Sequence, residues 1–394
     1  MTLPPTALRS LLAGVGLGLA VGLAPAAATT TGKKTPPKGP ASAKAAVKAA
    51  VPAASVKAAA PAASTATRED APEAVIYGRR EDVQRFGAEL AERNGLDPAA
   101  VLAALAAARF QPSVTRYIMP PPAGTAKNWA AYRARFVEPL RIKAGLAFWR
   151  ANEAWLQQAE AAYGVPPEVV VGIVGVETIY GQQMGNFRAI DALATLAFDF
   201  PPGRKDRSAF FRDELEQLFV MCRGTAQLAA CDPLAQKSSF AGAMGMPQFM
   251  PGSINRYAID FDADGRIDLQ RSAADTIGSV AHYLAEFGWQ RGLPTRFEVA
   301  VPVDAAERAT LLVPDIVPSF SAAQFAEHGA ELGPAAQEHV GLLALVELQN
   351  GDAAPSYIAG TTNFYAITRY NWSSYYALAV IELGEAVKRQ FTAR

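Results

Sequence analysis

Apolar residues recur at helical spacing from residue 80 onward. In residues 80–94, Val83, Phe86 and Leu90 fall on one face of a helix, because three or four positions separate them. Gly95 follows this pattern, and glycine commonly closes helices because it adopts the left-handed conformation without strain. The spacing therefore predicts a helix over 80–94.

Further helical segments follow along the chain. Asp97 and Pro98 predict the start of a helix that runs to residue 108, since an Asp cap followed by Pro suits a helix N-terminus. Residues 127–163 predict two more helices. Their core candidates are Tyr132, Phe136, Phe148, Trp149, Trp155 and Leu156.

The pattern changes after about residue 290. Segments 295–303, 341–348 and 363–368 are short runs with several apolar residues, which predicts strands. Residues 373–389 return to helical spacing. We therefore predict a mainly α fold with a small β insertion, after which the chain returns to the helical body.

Composition excludes several classes of protein. The 394 residues carry 37 basic and 37 acidic side chains, whereas a dedicated nucleic-acid binder shows a basic excess. The three histidines are too few and too scattered for a histidine-built metal site. An aromatic content of 9% argues against a chain that is disordered throughout.

The first 28 residues have the pattern of an export signal. Arg9 precedes an apolar run over 11–24, and the alanines at 26–28 offer a small-residue cleavage site. The alternative is a transmembrane anchor, but the run is shorter than the roughly 20 residues that a spanning helix needs. We expect a cleaved signal peptide, a periplasmic protein and no transmembrane anchor. No cysteine follows the run directly, which excludes a lipoprotein anchor.

Residues 29–69 have the composition of a linker. They contain mainly Ala, Pro, Lys, Thr and Ser, and such a segment lacks the large apolar side chains that a packed core needs. The interpretation that we favour is a disordered, semi-rigid spacer. The alternative is weak electrostatic attachment to an anionic wall or membrane surface through its six lysines, which are Lys33, Lys34, Lys38, Lys44, Lys48 and Lys57.

Glu177 is the candidate catalytic residue. Residues 164–181 form a segment that is apolar nearly all round, which predicts a buried helix that Gly181 ends. Glu177 is the carboxylate at the C-terminal end of that helix. A desolvated carboxyl keeps its proton to higher pH, as a general acid near neutral pH must. Position alone leaves a second interpretation open, in which Glu177 is a buried structural acid satisfied by backbone donors or an arginine.

A second candidate segment covers residues 239–251, with the sequence SFAGAMGMPQFMP. Its small residues let the backbone approach a ligand closely, and Ser239 and Gln248 are polar groups in an otherwise apolar stretch. Hydroxyls and amides of this kind often fix the hydroxyl and N-acetyl groups of sugars. The alternative is a tightly packed segment between helices with a methionine-lined core.

Five ordered blocks together resemble the lytic murein transglycosylase B family, glycoside hydrolase family 103. They are the Glu-Thr pair after the apolar helix, AGAMG-x-x-QFMP about 65 residues later, DALATLAF at 191–198, GSVAHYLAEFGW at 278–289 and ITRYNWSSYYALAV at 367–380. The resemblance runs from about residue 75 to the C-terminus. It implies a goose-type, lysozyme-like catalytic core with an accessory helical domain.

On this resemblance we expect four segments after the linker. They are an N-terminal helical domain at 70–159, the lysozyme-like core with an EF-hand-like loop at 160–290, a small β-rich domain at 291–359, and a return to the helical body and cleft at 360–394.

The resemblance also implies roles for individual residues. Glu177 matches the catalytic glutamate of the family. The matches to its substrate cleft are Ser239, Gln248, Tyr283, Tyr370, Asn371, Tyr376 and Arg207, of which Arg207 lies beside PPGRKD, an apparent insertion.

Members of the family cleave the β-1,4 bond between N-acetylmuramic acid and N-acetylglucosamine in peptidoglycan. One glutamate serves as acid and then base while the C6 hydroxyl attacks C1, and a 1,6-anhydro end results without a catalytic cofactor. The expected partners are peptidoglycan glycan strands and proteins of cell-wall synthesis or the divisome, with no nucleic acid. Two other functions stay open, a hydrolytic muramidase and a non-catalytic peptidoglycan-binding scaffold.

Residues 260–268, DFDADGRID, resemble the first part of an EF-hand loop. Three alternating aspartates repel one another without a cation, so we expect a structural calcium ion. The expected ligands are Asp260, Asp262, Asp264, the Arg266 carbonyl, Asp268 and, in place of the missing acid at position 12, Asp275. The alternative is an Asp-Gly turn that caps a helix.

Cys222 and Cys231 lie nine positions apart. In an exported protein we expect them to form a disulfide. The alternative is two free buried thiols.

Overall fold

The computed structural model describes residues 77–120 and 126–393. The expected export segment 1–28 and the linker 29–69 lie outside these residues. Within them the chain is mainly helical, and the helices follow in the order 3-10 helix Tyr77–Arg79, α1 Glu81–Asn94, α2 Pro98–Ala106, α3 Pro112–Tyr117, α4 Trp129–Arg133, α5 Pro139–Ala151, α6 Glu153–Tyr163, α7 Pro167–Thr178, α8 Ala189–Phe198, α9 Ser208–Arg223, α10 Pro251–Tyr257, α11 Ala273–Glu286, α12 Ala305–Leu312, α13 Ala322–Glu327, α14 Pro334–Gln337, α15 Thr362–Tyr370 and α16 Ser374–Thr392.

The strands are short except for one hairpin. They are β1 Phe187–Arg188, β2 Lys237–Ser238, β3 Arg296–Phe297, β4 Val299–Ala300, β5 Glu331–Leu332, β6 Ala344–Asn350 and β7 Ala353–Gly360. β6 and β7 pair antiparallel, and β3 pairs with the other edge of β7, so the strand order is β3-β7-β6. β1 with β2 and β4 with β5 form separate two-stranded sheets.

Local sequence explains several helix boundaries. Gly95 ends α1 in the left-handed conformation, with φ of 60°, as its position predicted. The Asp97 side chain accepts a hydrogen bond from the backbone of Ala99 and begins α2. Residues 127–163 contain three helices rather than the two predicted, because Asn128 caps the short helix α4 as well.

Helix α7 lies at the centre of the main core. Its residues Val169 to Val176 are buried, as the apolar pattern predicted. The helix packs against α16 so closely that a Cβ atom at Gly172 would lie 2.2 Å from the Val380 carbonyl oxygen. Glycine is therefore required where the two helices cross. The helix ends at Thr178, three residues before the glycine predicted to stop it.

The C-terminal third contains a second, smaller apolar cluster. It includes Leu311, Phe325 and Leu345, and it lies between the β6–β7 hairpin and helices α12 to α14. The predicted strand at 295–303 is divided between β3 and β4, which belong to different sheets. The predicted strand at 341–348 corresponds to β6 from Ala344 onward.

The strand predicted at 363–368 is wrong, because these residues lie inside α15. The Thr361 side chain accepts a hydrogen bond from the backbone of Asn363 and starts a helix there. Phe364, Ile367 and Thr368 are then buried on one face at helical spacing. The strand beside it, β7, has small residues and a proline, so its sequence gave little β signal.

No single helix in 77–120 or 126–393 is long and apolar enough to cross a membrane. Helices α6 and α7 would be long and apolar enough only when taken together, and the chain bends by 115° between them.

Candidate active site

Glu177 lies in the last turn of α7. The residue is half-buried, and its carboxyl group is surrounded by protein atoms. Burial raises the pKa of the Glu177 carboxyl to about 7, because the charged form loses its hydration. A carboxyl with this pKa can hold a proton near neutral pH and can also release it.

Tyr376 contacts the carboxyl of Glu177 directly. The Tyr376 hydroxyl donates a hydrogen bond of 2.5 Å to Oε1 of Glu177. This bond lowers the pKa of Glu177, but the effect of burial is larger. The pKa of Tyr376 itself lies well above its ordinary value because the ring is buried beside Glu177. Tyr376 therefore stays protonated and remains a donor when Glu177 is ionised.

Two more tyrosines lie close to Glu177. The Tyr370 ring stacks on that of Tyr376, with centroids 6.3 Å apart and an interplanar angle of 16°. The Tyr370 hydroxyl donates to the Pro247 carbonyl at 2.5 Å. Burial, and secondarily the charge of Glu177, raises the pKa of both Tyr370 and Tyr132. The sequence pattern of Tyr132 indicated only a core position.

Ser239 and Gln248 shape the segment that faces this region. The buried Ser239 hydroxyl accepts hydrogen bonds from the backbone amides of Ala241 and Ala243, at 3.3 and 3.1 Å. Gln248 adopts the left-handed conformation, with φ of 51°. Its side-chain amide donates to the carbonyl of Met184 at 3.2 Å. Both side chains therefore hold backbone in place.

Asn371 differs from these two residues. It is 3% exposed, and its side-chain oxygen Oδ1 has no hydrogen-bond partner among the described residues. A buried acceptor without a partner is costly, and such atoms often mark the place of a ligand or water.

A cavity of about 580 Å³ brings three of the predicted cleft residues together. Gln248, Tyr283 and Tyr370 line it, along with Phe249 and Arg369. The Tyr283 hydroxyl donates to the Arg369 carbonyl at 2.7 Å. The cavity is therefore lined by both aromatic and polar side chains, a combination that ligand sites often have.

Arg207 lies at the start of α9, where its guanidinium stacks over Phe210 at 4.6 Å and over Phe211 at 5.7 Å. Burial lowers the pKa of this arginine. Its place in the substrate cleft stays a prediction.

The aspartate loop 260–268 brings three carboxylates together. Oxygen atoms of Asp260, Asp262 and Asp264 all lie within 4.8 Å of one another. Among the described residues, none of the three forms an ion pair with a basic side chain within 4.0 Å. Converging carboxylate oxygens without a cationic partner are the donor set that calcium prefers.

Asp275 and Asp268 lie outside this group of three converging carboxylates. The two carboxylate oxygens of Asp275 accept hydrogen bonds from the backbone amides of Phe261 and Asp268, at 2.9 and 2.8 Å. Oδ1 of Asp268 accepts from the amides of Gln270 and Arg271. These two aspartates brace the loop, and the cluster itself contains three of the five predicted carboxylates.

Cys222 and Cys231 form a disulfide, with their Cα atoms 4.4 Å apart. The segment between them contacts the aspartate loop, because the Ile267 amide donates to the Gln227 carbonyl at 2.9 Å.

A family model described as "Transglycosylase SLT domain" matches residues 78–385, which is more than half of the chain. The chain belongs to the transglycosylase SLT domain family. The resemblance found in the sequence motifs is therefore confirmed.

Relatives of this transglycosylase are similar over most of their length. The membrane-bound lytic murein transglycosylase B of Escherichia coli K12 is 38% identical over 321 residues, which are 79% of this chain and 84% of that protein. The lytic transglycosylase SltB1 of Pseudomonas aeruginosa superposes with a TM-score of 0.71 at 35% identity, over 80% of this chain and 99% of that one. The Escherichia coli lytic transglycosylase Slt35, solved in complex with calcium, gives 0.68 at 36% identity, over 79% and 94%.

These similarities confirm the fold class. This transglycosylase is mainly α and shares the lysozyme-like fold of its structural neighbours.

Glu214 is a half-buried acid of this transglycosylase that the sequence pattern did not indicate as a candidate. It lines the cavity together with Gln248, and burial raises the pKa of its carboxyl to about 7. Oε2 of Glu214 accepts a hydrogen bond of 2.8 Å from the backbone amide of Gly252. The acidic pattern RDELEQ around it is typical of a solvated helix face, whereas in the structure α10 packs against α9 and its Gly252 contacts Glu214.

Proposed function

We propose that this transglycosylase cleaves the β-1,4 bond between N-acetylmuramic acid and N-acetylglucosamine in peptidoglycan and leaves a 1,6-anhydro end. Family membership supports the reaction class, and a relative named lytic murein transglycosylase B supports the substrate. The observation that carries the proposal is Glu177, a carboxyl whose pKa is raised to about 7 and whose Oε1 accepts a hydrogen bond from Tyr376.

In the first step, protonated Glu177 acts as the general acid. It gives its proton to the glycosidic oxygen, and the bond between C1 of muramic acid and that oxygen breaks. The N-acetyl oxygen of the same sugar supports the positive charge that develops at C1. The electron pair of the broken bond stays on the departing oxygen, which becomes the 4-hydroxyl of N-acetylglucosamine.

In the second step, ionised Glu177 acts as the general base. The Tyr376 hydroxyl stabilises the carboxylate through the hydrogen bond to Oε1. Glu177 takes the proton of the C6 hydroxyl while O6 forms the new bond to C1. The C6 hydroxyl is already bound with the sugar, which gives its attack the advantage of an intramolecular step. The enzyme regains its proton and no water is consumed.

The cleft residues have different proposed roles. Oδ1 of Asn371, which has no hydrogen-bond partner in the described part of the chain, would accept from a sugar hydroxyl or N-acetyl N–H. Tyr283 and Tyr370 offer ring faces along the cavity. Gln248 and Ser239 hold the segment that frames the sugar, and we assign Arg207 to the rim of the cleft.

We also propose that a structural calcium ion belongs to the aspartate loop. The three converging carboxylates fit it, and the relative Slt35 was solved in complex with calcium. Asp260, Asp262 and Asp264 would hold the ion, with the Arg266 carbonyl as a further ligand. The ion would offset the repulsion among the three carboxylates and so stabilise the loop. The proposed reaction itself needs no cofactor.

We propose that residues 1–28 export the protein to the periplasm and are cleaved, and that residues 29–69 form a spacer. The folded part would consist of the segments 70–159, 160–290, 291–359 and 360–394 named above. Cell-wall synthesis or divisome proteins remain the proposed protein partners.

Release of soluble muropeptides from purified sacculi tests the proposed activity. The wild-type enzyme should release them, and Glu177→Gln should lower release by at least about 1,000-fold because an amide cannot donate this proton. Glu168→Gln is the matched control, because Glu168 lies at the other end of the same helix, α7. There it forms an ion pair with Lys388 of α16. Residual activity of Glu177→Gln near that of the control would remove Glu177 from its role.

A further inference from the structure

The catalytic helix ends in a left-handed segment. After Thr178, the residues Ile179, Tyr180 and Gly181 have φ of 50°, 56° and 87°. Two of the three are not glycine, and isoleucine is β-branched, so this backbone is strained. Strain of this kind persists only where the surrounding structure holds it, and it is concentrated at functional sites.

The Thr178 side chain is one of the contacts that hold this segment. Thr178 is 0% exposed. Its hydroxyl accepts a hydrogen bond of 3.0 Å from the amide of Gly181 and thereby closes the turn. The same hydroxyl donates a bond of 2.9 Å to the carbonyl of Met246. One buried group thus ties the end of α7 to the segment that carries Gln248.

The segment opposite is also a left-handed turn. Gly245 and Gln248 have φ of 70° and 51°. The Gln248 side-chain amide donates to the carbonyl of Met184, six residues beyond Thr178, at 3.2 Å. Two hydrogen bonds, one from each side, therefore join this turn to the end of α7 and to the loop that follows it.

We propose that Thr178 is a positioning residue of the reaction, whose hydroxyl fixes the Glu177 carboxyl relative to Gln248 and Tyr376. The inference rests on the proposed function, because it concerns the same carboxyl. Thr178 does not touch the substrate. It acts by holding the backbone next to Glu177, where a displacement of about 1 Å can lower the rate by about 100-fold.

Substitutions of Thr178 that remove or keep its hydroxyl distinguish a positioning role from a role in the stability of the fold. Thr178→Val keeps the shape but leaves the Gly181 amide and the Met246 carbonyl without this partner, whereas Thr178→Ser keeps the hydroxyl. We expect kcat of Thr178→Val to fall about 10-fold to 100-fold with KM changed less than about threefold. Thr178→Ser should stay within about threefold of the wild-type kcat.

Thr195→Val is the matched control. Thr195 lies on helix α8 and is also 0% exposed. Its hydroxyl accepts a hydrogen bond of 3.0 Å from the backbone amide of Gln111, which is distant in the sequence. It should lower Tm to a similar degree as Thr178→Val and leave kcat unchanged. If Tm falls equally in Thr178→Val and Thr195→Val and kcat falls in neither, Thr178 has only a structural role and the proposal is wrong.

A titration of Glu177 distinguishes failure of the inference from failure of the proposed function. The carboxyl carbon of Glu177 can be followed by ¹³C NMR in glutamate-labelled protein, with Glu177→Gln to assign the signal. The titratable groups that face it are Tyr376, Tyr370 and Tyr132. Thr178→Val should shift the midpoint by at least half a pH unit, and Thr178→Ser and Thr195→Val should not. An unchanged midpoint in Thr178→Val overturns the inference, even if the wild-type enzyme releases no muropeptides.

Discussion

The hydroxyl of Tyr376 lies 2.5 Å from Oε1 of Glu177, although 199 positions separate the two residues in the chain. The bond joins the central helix α7 to α16, which the closely packed Gly172 brings alongside. Two opposing effects therefore act on one carboxyl. Burial favours its protonated form, and the Tyr376 bond favours its ionised form.

Tyr376→Phe should impair the step in which Glu177 is ionised. Without the donor, the pKa of Glu177 should rise above about 7, since the hydrogen bond lowers it. We expect kcat to fall about 10-fold, because the ionised carboxylate loses a charge-assisted hydrogen bond, and the decline of activity at high pH to move to higher pH. A pH profile of kcat measures both effects.

Tyr375→Phe is the control for that experiment. The Tyr375 hydroxyl is bonded to the Gln349 carbonyl at 3.1 Å, away from Glu177. Equal kcat and equal pH profiles for the two variants would show that the Tyr376 bond has no part in the reaction.

Glu177→Gln should stabilise the fold at high pH. The folded-state pKa of Glu177 is raised from 4.5 to about 7, so the folded protein binds more protons than the unfolded chain between these values. Stability of the wild type is therefore lost as pH rises through that window, and the amide variant escapes the loss. We expect the variant to gain about 2 kcal/mol more at pH 8 than at pH 5.

Urea unfolding of the two proteins at pH 5 and pH 8 measures this gain. A difference in unfolding free energy that does not change with pH would contradict the raised pKa of Glu177.

How far the sequence predicts this site depends on the range of the contacts. Glu177 could be singled out as a candidate because it is an acid at the end of an apolar helix, although position alone left a structural role equally open. Its bond to Tyr376 could be expected only through the family resemblance, since helix packing over 199 positions brings the two together. The contacts of Thr178 with Met246 and of Glu214 with Gly252 could not be predicted from the sequence, because packing between distant segments creates them.

For the fold, too, elements set by local contacts could be predicted from the sequence and elements set by distant contacts could not. Gly95 and Asp97 set helix boundaries through local bonds, and their positions were predicted. The segment 363–368 was assigned to the wrong class, because its apolar residues fit a short strand as well as a helix. The cap from Thr361 and burial against the main core decide for the helix α15.

Glu214→Gln tests whether a second acid takes part. Its carboxyl is bonded to the Gly252 amide and lines the cavity, and its pKa is also raised to about 7. A single-acid mechanism predicts kcat within about threefold of wild type and unchanged products, because Gln keeps an acceptor for Gly252. Comparison of kcat with that of Glu177→Gln checks this. A loss as large as that of Glu177→Gln would favour a two-carboxylate hydrolase.

Calcium should raise Tm through the aspartate loop. A ligand that binds only the folded state stabilises it by about 2.7 kcal/mol at a concentration 100-fold above Kd. Asp262→Asn should abolish the rise by removing one of the three converging carboxylates. Asp352→Asn, in the exposed turn between β6 and β7, should keep it. Equal melting curves of the metal-stripped wild type with and without millimolar calcium would reduce the loop to a turn.

The products of digestion in H₂¹⁸O test the central claim most directly. Attack by the C6 hydroxyl consumes no water, so the muropeptides should contain no ¹⁸O, and their muramic ends should resist reduction by borohydride. Mass spectrometry of sacculi digested by the wild-type enzyme measures both. Products that carry ¹⁸O at a muramic end and gain two hydrogens on reduction would show that water is the nucleophile, and would contradict the account.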